Sequence, residues 1–338
     1  MLLSPRIGGA ETLAASLAHE WMDAGVTSEI VFVDPGPAQP TSPGTARLKR
    51  LRKALVDLEP DIVLAHSAIP NIYARLARPN RVPVVTTLHS ATQDFDHRKL
   101  RWSERALRHR TSAVIAVSRG QYQEYSERFG RRNLHLVPNG VSPRFTPRTN
   151  FATSPTRVLT VGRVVEQKNP TLWADSGTRV WTNNPLVRFE WVGPTGIDPR
   201  YSALEHQHAD QSLPVRFVGP TTEAHRWMRE SDIFFHPADR EAHSIVLLEA
   251  AVSALPIVCS DQVAKTLPED LPRETFATGD SDDAVAALNR VIDDYAGATL
   301  RALKWAQSSA NDWAASSTAR RYLDIFDPLV VRRKGRKP

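Results

Sequence analysis

Short, unbroken apolar runs recur along the whole chain: EIVFV, DIVLA, PVVTTL, AVIAV, LHLV, then RVLTV, RFEWV, VRFV, DIFF and PIVC. Helical spacing of apolar residues fills most of the stretches between them. A strand that faced water on one side would alternate apolar with polar residues, so these runs belong to strands buried on both faces. Helices returning between such strands cover both faces of a parallel sheet, which predicts a doubly wound α/β fold. Ligands bind such sheets at the carboxyl ends of the strands, so the residues just after each run carry the functional weight.

A chain of 338 residues with 41% hydrophobic content has material for two cores of ordinary size. The break between them is expected in VPNGVSPRFTP, residues 137–147, where Asn-Gly and three prolines interrupt regular structure. No apolar run reaches the about 18 uninterrupted residues of a spanning helix. The first residues, MLLSPRIGGAE, have no export pattern, so the protein is expected in the cytoplasm. Cys259 is the only cysteine, which excludes an intramolecular disulfide and a cysteine-based zinc cluster, and its place in PIVCS predicts a buried strand residue. A formal charge of +6 and a pI near 9.6 favour acidic partners: nucleic acid, an anionic membrane or a phosphorylated small molecule.

The densest chemistry lies in residues 239–261. Glu241 precedes a helix that Ser244 is expected to cap, Glu249 lies in its second turn, and Ile245, Val246, Leu248 and Ala251 form its apolar face. Eight helical steps would separate the glutamates by about 12 Å. That exceeds the roughly 5 to 9.5 Å of glycoside hydrolase pairs. Two carboxylates so spaced suit two sets of hydroxyls on one extended ligand, such as a nucleotide sugar; ordinary solvated charge is the alternative. Gly162, Arg163 and Lys168 follow the strand RVLTV, and two cations between a strand and a helix suit a diphosphate. Gly193 and Gly219 each follow a strand in a Gly-Pro turn, and His66 and His89 each follow a strand in the first half. Gly8 and Gly9 lie between a very short first strand and a helix, where they either bring backbone to a ligand or make a plain turn.

The E-x7-E spacing of Glu241 and Glu249, the GR-x4-K element of Arg163 and Lys168, the glycine loop and the VS turn at Ser118 together resemble the retaining GT-B glycosyltransferases of family 4. The resemblance runs from PRIGGAE to the last helix. It implies two Rossmann-like doubly wound domains facing across a cleft: an acceptor-side domain over 1–145 and a nucleotide-sugar domain over 146–304. Residues 305–338 would form a helix returning to the first domain and a basic tail, VRRKGRKP, too charged to fold alone. By the same resemblance Glu249 binds the donor ribose, Glu241 and His89 face the transferred sugar, and Arg163 and Lys168 hold the diphosphate. Gly8, Gly9, Gly162, Gly193, Gly219, Ser244, Ile245 and Val246 line the donor, and Ser118 and Arg119 face the acceptor. The family usually reads Glu-Gly-Phe-Gly where this chain has Glu241, Ala242, His243 and Ser244, which leaves the donor sugar open. The family's glycine loop also follows a longer strand, implying that the chain starts late or its first strand is clipped.

The implied reaction moves a sugar from a nucleotide-diphosphate sugar to a glycan, lipid-linked or small-molecule acceptor in cell-envelope or polysaccharide synthesis. No metal or other cofactor is expected, since no Asp-x-Asp motif stands at the end of a strand run. A nucleotide-sugar epimerase on the same fold is the alternative. Nucleic acid is not an expected partner, because basic and aromatic residues do not interleave as in a single-strand groove. An anionic membrane surface is, since Arg98, Lys99, Arg101, Arg105, Arg108 and Arg110 share a helical stretch with Leu100, Trp102 and Leu107. A second basic helix carries Arg47, Lys49, Arg50, Arg52 and Lys53. The alternative there is a solvated face with Trp102 and the leucines turned into the core.

Overall fold

The computed structural model describes residues 1–3, 9–34, 44–89 and 95–334. They form two compact units, Met1–Gly140 with Ala315–Pro338, and Val141–Ala314.

In the first unit, strands β1 (Val63–His66), β2 (Val84–Leu88), β3 (Ala113–Ala116) and β4 (Leu134–Leu136) make a parallel sheet in that order. β2 and β3 are buried at every position, as their unbroken apolar runs require. Between and before the strands lie α1 (Gly9–Asp23), α2 (Gly44–Leu58), α3 (Ala68–Ala77), α4 (Arg98–Leu107) and α5 (Arg119–Phe129). The sheet extends past β1, because Met1 O accepts from His66 N at 3.1 Å and Leu2 bridges Phe32 in parallel. EIVFV, expected as a strand, is therefore reduced to one bridge. Among the described residues it bonds to Leu2 and Leu3, through Val31 O, Val33 N and the following Asp34 N, and to the Arg50 guanidinium, through Phe32 O and Val33 O.

A buried ionic network joins three of these helices. Arg75 of α3 meets the Glu104 carboxylate of α4 with both terminal nitrogens, at 2.6 and 2.9 Å, and Tyr125 of α5 donates to the same carboxylate at 2.5 Å. Arg75 is fully buried.

In the second unit, β5 (Arg157–Val161), β6 (Arg188–Val192), β7 (Val215–Gly219), β8 (Ile233–His236), β9 (Ile257–Ser260) and β10 (Glu274–Phe276) form a parallel sheet of order β10-β9-β8-β5-β6-β7. Its helices are α6 (Pro170–Asn183), α7 (Ser202–Gln207), α8 (Ala224–Arg229), α9 (Ile245–Val252), α10 (Asp261–Ala264), α11 (Ser281–Asp293) and α12 (Tyr295–Ser309). The chain winds from β5 outward through β6 and β7, then returns to the other side of β5 and winds outward through β8, β9 and β10. That reversal opens a crevice beyond the carboxyl ends of β5 and β8. Trp173, Trp191, Phe189 and Phe217 fill one face of this sheet, and Leu247, Ala250, Leu255 and Trp305 belong to the core on the other. Cys259 is buried in β9, where burial pushes its thiol up to about 12.

Where one returning helix is expected from residue 305, the chain forms two helices. α12 stays in the second unit, where Trp305 is buried and donates to Asp270 at 2.9 Å. The backbone then pairs Ala314 with Val141 in parallel, and Val141 N donates to Trp313 O at 2.7 Å. That pairing breaks the helix, and the next one, α13 (Ala315–Lys334), belongs to the first unit. There Trp21 of α1 donates to Ala319 O at 3.0 Å and packs against Tyr322 and Phe326. The units thus divide at 140/141 and 314/315 rather than 145/146 and 304/305. α13 also carries Val331–Lys334 as helix, because a docked helix needs no core of its own there. The last four tail residues, 335–338, lie outside the described residues.

Removing one partner of a buried ion pair strands the other charge, so Glu104→Ala is expected to lose about 3–5 kcal/mol of stability. Urea denaturation measures it, and a loss under about 1 kcal/mol, the worth of an exposed pair, would show that Arg75 finds another partner.

Candidate active site at the β5–β8 crevice

Two loops leave the crevice strands and are stapled together. After β5 come Gly162, Arg163 and a single tight turn over Glu166–Lys168. After β8 come Asp239, Arg240 and Glu241. Gln167 donates its side-chain amide to Arg240 O at 2.8 Å, and its own carbonyl accepts from Asp239 N at 3.0 Å. Asn169 adopts the left-handed conformation at φ 50°, ψ 60°. Its side chain accepts from Leu172 N at the start of α6 and donates to Asp239 at 2.9 Å. Asparagine tolerates that conformation better than most residues, so one side chain caps a helix and ties the two loops.

The staple delivers Lys168 onto Glu241. Lys168 Nζ pairs with Glu241 Oε1, and the same oxygen lies 3.2 Å from His236 Nε2. Burial opposes the charge on Glu241, but Lys168 and then His236 outweigh it and bring the carboxyl down to about 2. His236 is 1% exposed; burial first and the Lys168 charge second lower its pKa to about 4, against the pull of Glu241. At neutral pH the cluster therefore holds one cation, one anion and a neutral imidazole. His236 went unread in the sequence, although it ends a strand just as His66 does.

Glu249 differs. It is buried on α9 with no charged partner among the described residues, and burial alone raises its carboxyl to about 8. α9 begins only at Ile245, so residues 241–244 are not helical and the helical separation of about 12 Å does not apply. Ser244 stands at the N-cap with extended geometry, but its side chain makes no cap hydrogen bond, contrary to expectation. Leu247 through Val252 are all buried while Ile245 and Val246 are half-buried, so the helix is wrapped by core rather than amphipathic. His243, just before the helix, stacks on Trp313 at 5.9 Å, and burial lowers its pKa to about 4.

The glycine turns draw the strand ends together. Gly162 N donates to Val192 O at 3.0 Å, Gly193 N to Gly219 O at 2.8 Å, and Trp191 Nε1 to Gly162 O at 2.8 Å. A Cβ on Gly193 would fall 2.0 Å from Gly162 O, so no other residue fits there. Lys168 passes close by Gly162, whose ideal Cβ would lie 3.6 Å from Lys168 Cε. Arg163 is exposed and forms no ion pair among the described residues.

In the first unit, His66 and His89, at the carboxyl ends of β1 and β2, stack with centroids 5.0 Å apart, and His66 Nδ1 lies 2.9 Å from His89 Nε2. Burial first and the nearby His89 second push the His66 pKa well down. Ser118 caps α5, accepting from Gln121 N at 3.3 Å, and Arg119 opens the helix exposed. Gly9 is the first residue of α1, and Gly8 lies outside the described residues.

Residues 7–145 match the family model described as Glycosyltransferase Family 4, and residues 155–294 match that of Glycosyl transferases group 1. Glycogen synthase of Mycobacterium tuberculosis is 27% identical over 312 residues, covering 86% of this chain and 74% of that one. A UDP-Gal:alpha-D-GlcNAc-diphosphoundecaprenol alpha-1,3-galactosyltransferase of Escherichia coli is 26% identical over 272 residues, covering 72% and 69%. Among solved structures, Anabaena HepE in complex with UDP and glucose superposes with a TM-score of 0.76 at 17% identity, covering 96% of this chain and 98% of that one. Sucrose-phosphate synthase from Thermosynechococcus elongatus gives 0.78 at 16% identity, with coverage of 98% and 96%. The chain belongs to the GT-B glycosyltransferases, with a family 4 first domain and a group 1 second domain.

Proposed function

We propose that this enzyme moves a sugar from a nucleotide-diphosphate sugar to a glycan or lipid-linked acceptor, with retention and without a metal. The observation that carries this reading is the stapled cluster of Gly162, Lys168 and Glu241 at the sheet's reversal point. Glu249 accepts hydrogen bonds from the donor ribose, and Glu241 from the transferred sugar. Lys168 and Arg163 face the diphosphate, joined by the free N–H groups that open α9. As the bond to the sugar breaks, charge grows on the departing diphosphate, and cations already in place stabilise it without reorganising. The acceptor hydroxyl loses its proton to that phosphate. In the first unit, His89, oriented by His66, meets a hydroxyl of the sugar, and Ser118 and Arg119 serve the acceptor. The UDP and glucose bound by HepE and the diphosphoundecaprenol named for the Escherichia coli relative support the donor and acceptor classes. Membership of a transferase family leaves the epimerase reading without an observation in its favour.

The acceptor class bears on where the enzyme works. Trp102 is 71% exposed on α4 beside the exposed Arg98, Lys99 and Arg105, which overturns the alternative that turned Trp102 into the core; Leu100 and Leu107 are half-buried. Glu104, on the inner side of α4, is held by Arg75. In α2, Arg50 donates to Phe32 O and Val33 O and Lys53 pairs with Asp57, while Lys49 and Arg52 are exposed. Among the described residues no helix is long and apolar enough to cross a membrane. We place the enzyme on the inner face of the cell membrane, held by α4, with basic residues contributing about 1 kcal/mol each near an anionic surface.

A thermal-shift screen of UDP-, GDP-, ADP- and dTDP-sugars tests the donor reading, since a ligand at 100 times its Kd stabilises by about 2.7 kcal/mol. No shift with any of them would defeat it. Glu249 gives a more specific outcome. Its raised pKa leaves stability intact below its ordinary value of 4.5 and removes it as pH rises through about 8. Glu249→Gln does not titrate, so the unliganded variant is expected to gain on wild type in melting temperature as pH rises from below 4.5 to above about 8. Donor binding is expected to weaken by about 1.5–3 kcal/mol. Unchanged donor affinity would remove Glu249 from the ribose. Arg163→Ala and Lys168→Ala are expected to lower kcat by about 10²–10³ and raise KM much less; equal effects on both constants would mean ground-state binding only. On liposomes, wild type is expected to co-sediment with anionic but not neutral vesicles at low salt, and Trp102→Ala to bind less. Failure to bind anionic vesicles at low salt would detach the enzyme from the membrane and leave the transfer chemistry standing.

A further inference from the structure

Both donors that reach Glu241 fall on one oxygen. Lys168 Nζ and His236 Nε2 meet Oε1. Oε2 accepts no bond among the described residues, and it is not one of the sealed polar atoms that lack a partner. The His236 ring ends β8, is 1% exposed and lies stacked on Phe234 at 6.1 Å and 17°, so its plane is set by the strand. Its Nδ1 is buried with no partner among the described residues. A carboxylate accepts and cannot donate, so the ring proton resides on Nε2 and the lone pair on Nδ1. Leaving Nδ1 unpaired in the interior is unfavourable. Among the described residues, the bond from Nε2 is therefore the only polar contact that offsets burying the ring.

We propose that His236 is a positioning residue for sugar transfer: its Nε2–H, together with Lys168, occupies Oε1 of Glu241 and leaves Oε2 alone to receive a hydroxyl of the donor sugar. The proposal rests on the reading of Glu241 as the contact to the transferred sugar. A neutral imidazole suits this task, because it fixes the carboxylate without adding a second positive charge. Lys168 then remains the only cation in the cluster for the diphosphate. Two variants separate orientation from packing. Leucine fills a similar volume and cannot donate, whereas the side-chain amide nitrogen of glutamine lies as far along the chain as imidazole Nε2.

The experiment uses the full chain and the nucleotide sugar identified by thermal shift, with melting curves to check that each variant is folded. His236→Leu is expected to lower kcat/KM by about 10- to 100-fold, the worth of a hydrogen bond to a charged group. Affinity for the matching free nucleoside diphosphate, which lacks the sugar, is expected to stay at the wild-type value, and His236→Gln to recover most of the lost turnover. Long-range 1H–15N spectra of the wild type are expected to show the Nε2–H tautomer. A Leu variant as active as wild type, a parallel loss of nucleoside diphosphate binding, a Gln variant as weak as Leu, or an Nδ1–H tautomer would each overturn the role. Wild-type protein that binds no nucleotide sugar defeats the donor reading and this role together. Wild-type turnover with an unaffected Leu variant defeats this role alone.

Discussion

The direction reversal at β5 is the constraint on which the second unit depends. Parallel strands need long crossovers, and because these are right-handed, winding outward in one direction puts the helices on one face of the sheet and winding outward in the other puts them on the opposite face. Here the return places β8 beside β5, and the helices that follow β5 and β8 lie on opposite faces of the sheet, so the strands' carboxyl ends have no single helix roofing them. The two loops that emerge there, 162–169 and 237–244, are tied to each other across the gap. Their hydrogen bonds explain why a lysine and a glutamate that lie 73 positions apart make an ion pair.

Within that crevice the environment sets the two glutamates apart. Glu241 loses hydration but gains Lys168 and His236, so its charge is favoured. Glu249 loses hydration and gains nothing, so its neutral form is favoured until something enters. Carboxylates of one sequence motif thus hold opposite protonation tendencies through placement alone. A paired carboxylate is an oriented acceptor with one oxygen committed. An unpaired, buried one is a group for which a ligand rich in hydroxyls supplies the missing hydrogen bonds. This division of tasks fits a donor that presents two different groups of hydroxyls.

The first unit uses burial differently. Arg75, Glu104 and Tyr125 spend their polarity inside, holding α3, α4 and α5 together, and that commitment turns the rest of α4 outward. The exposure of Trp102 follows from the same geometry, since residues two apart on a helix point in different directions. His66 ends β1 in register with Thr87 of β2, and His89, two residues beyond Thr87, stacks on the His66 ring.

By itself, the sequence determined the strand runs other than EIVFV, their parallel class, the division into two units, the loops that carry Arg163, Lys168 and Glu241, and the helix that carries Glu249. Those features are local: a run apolar on both faces, an Asn-Gly turn among prolines, and cations placed just after a strand report their own surroundings. Tertiary structure decided which groups meet. It set His236 against Glu241, joined His66 to His89, left Ser244 without its cap, turned Trp102 to solvent and split the last helix where Ala314 pairs with Val141. Each of these outcomes depends on residues distant in the chain or on the exact face a helix presents. A pattern read along the sequence records the spacing of side chains, whereas protonation and pairing are set by what the folded chain brings within a few ångströms and by how much water it removes.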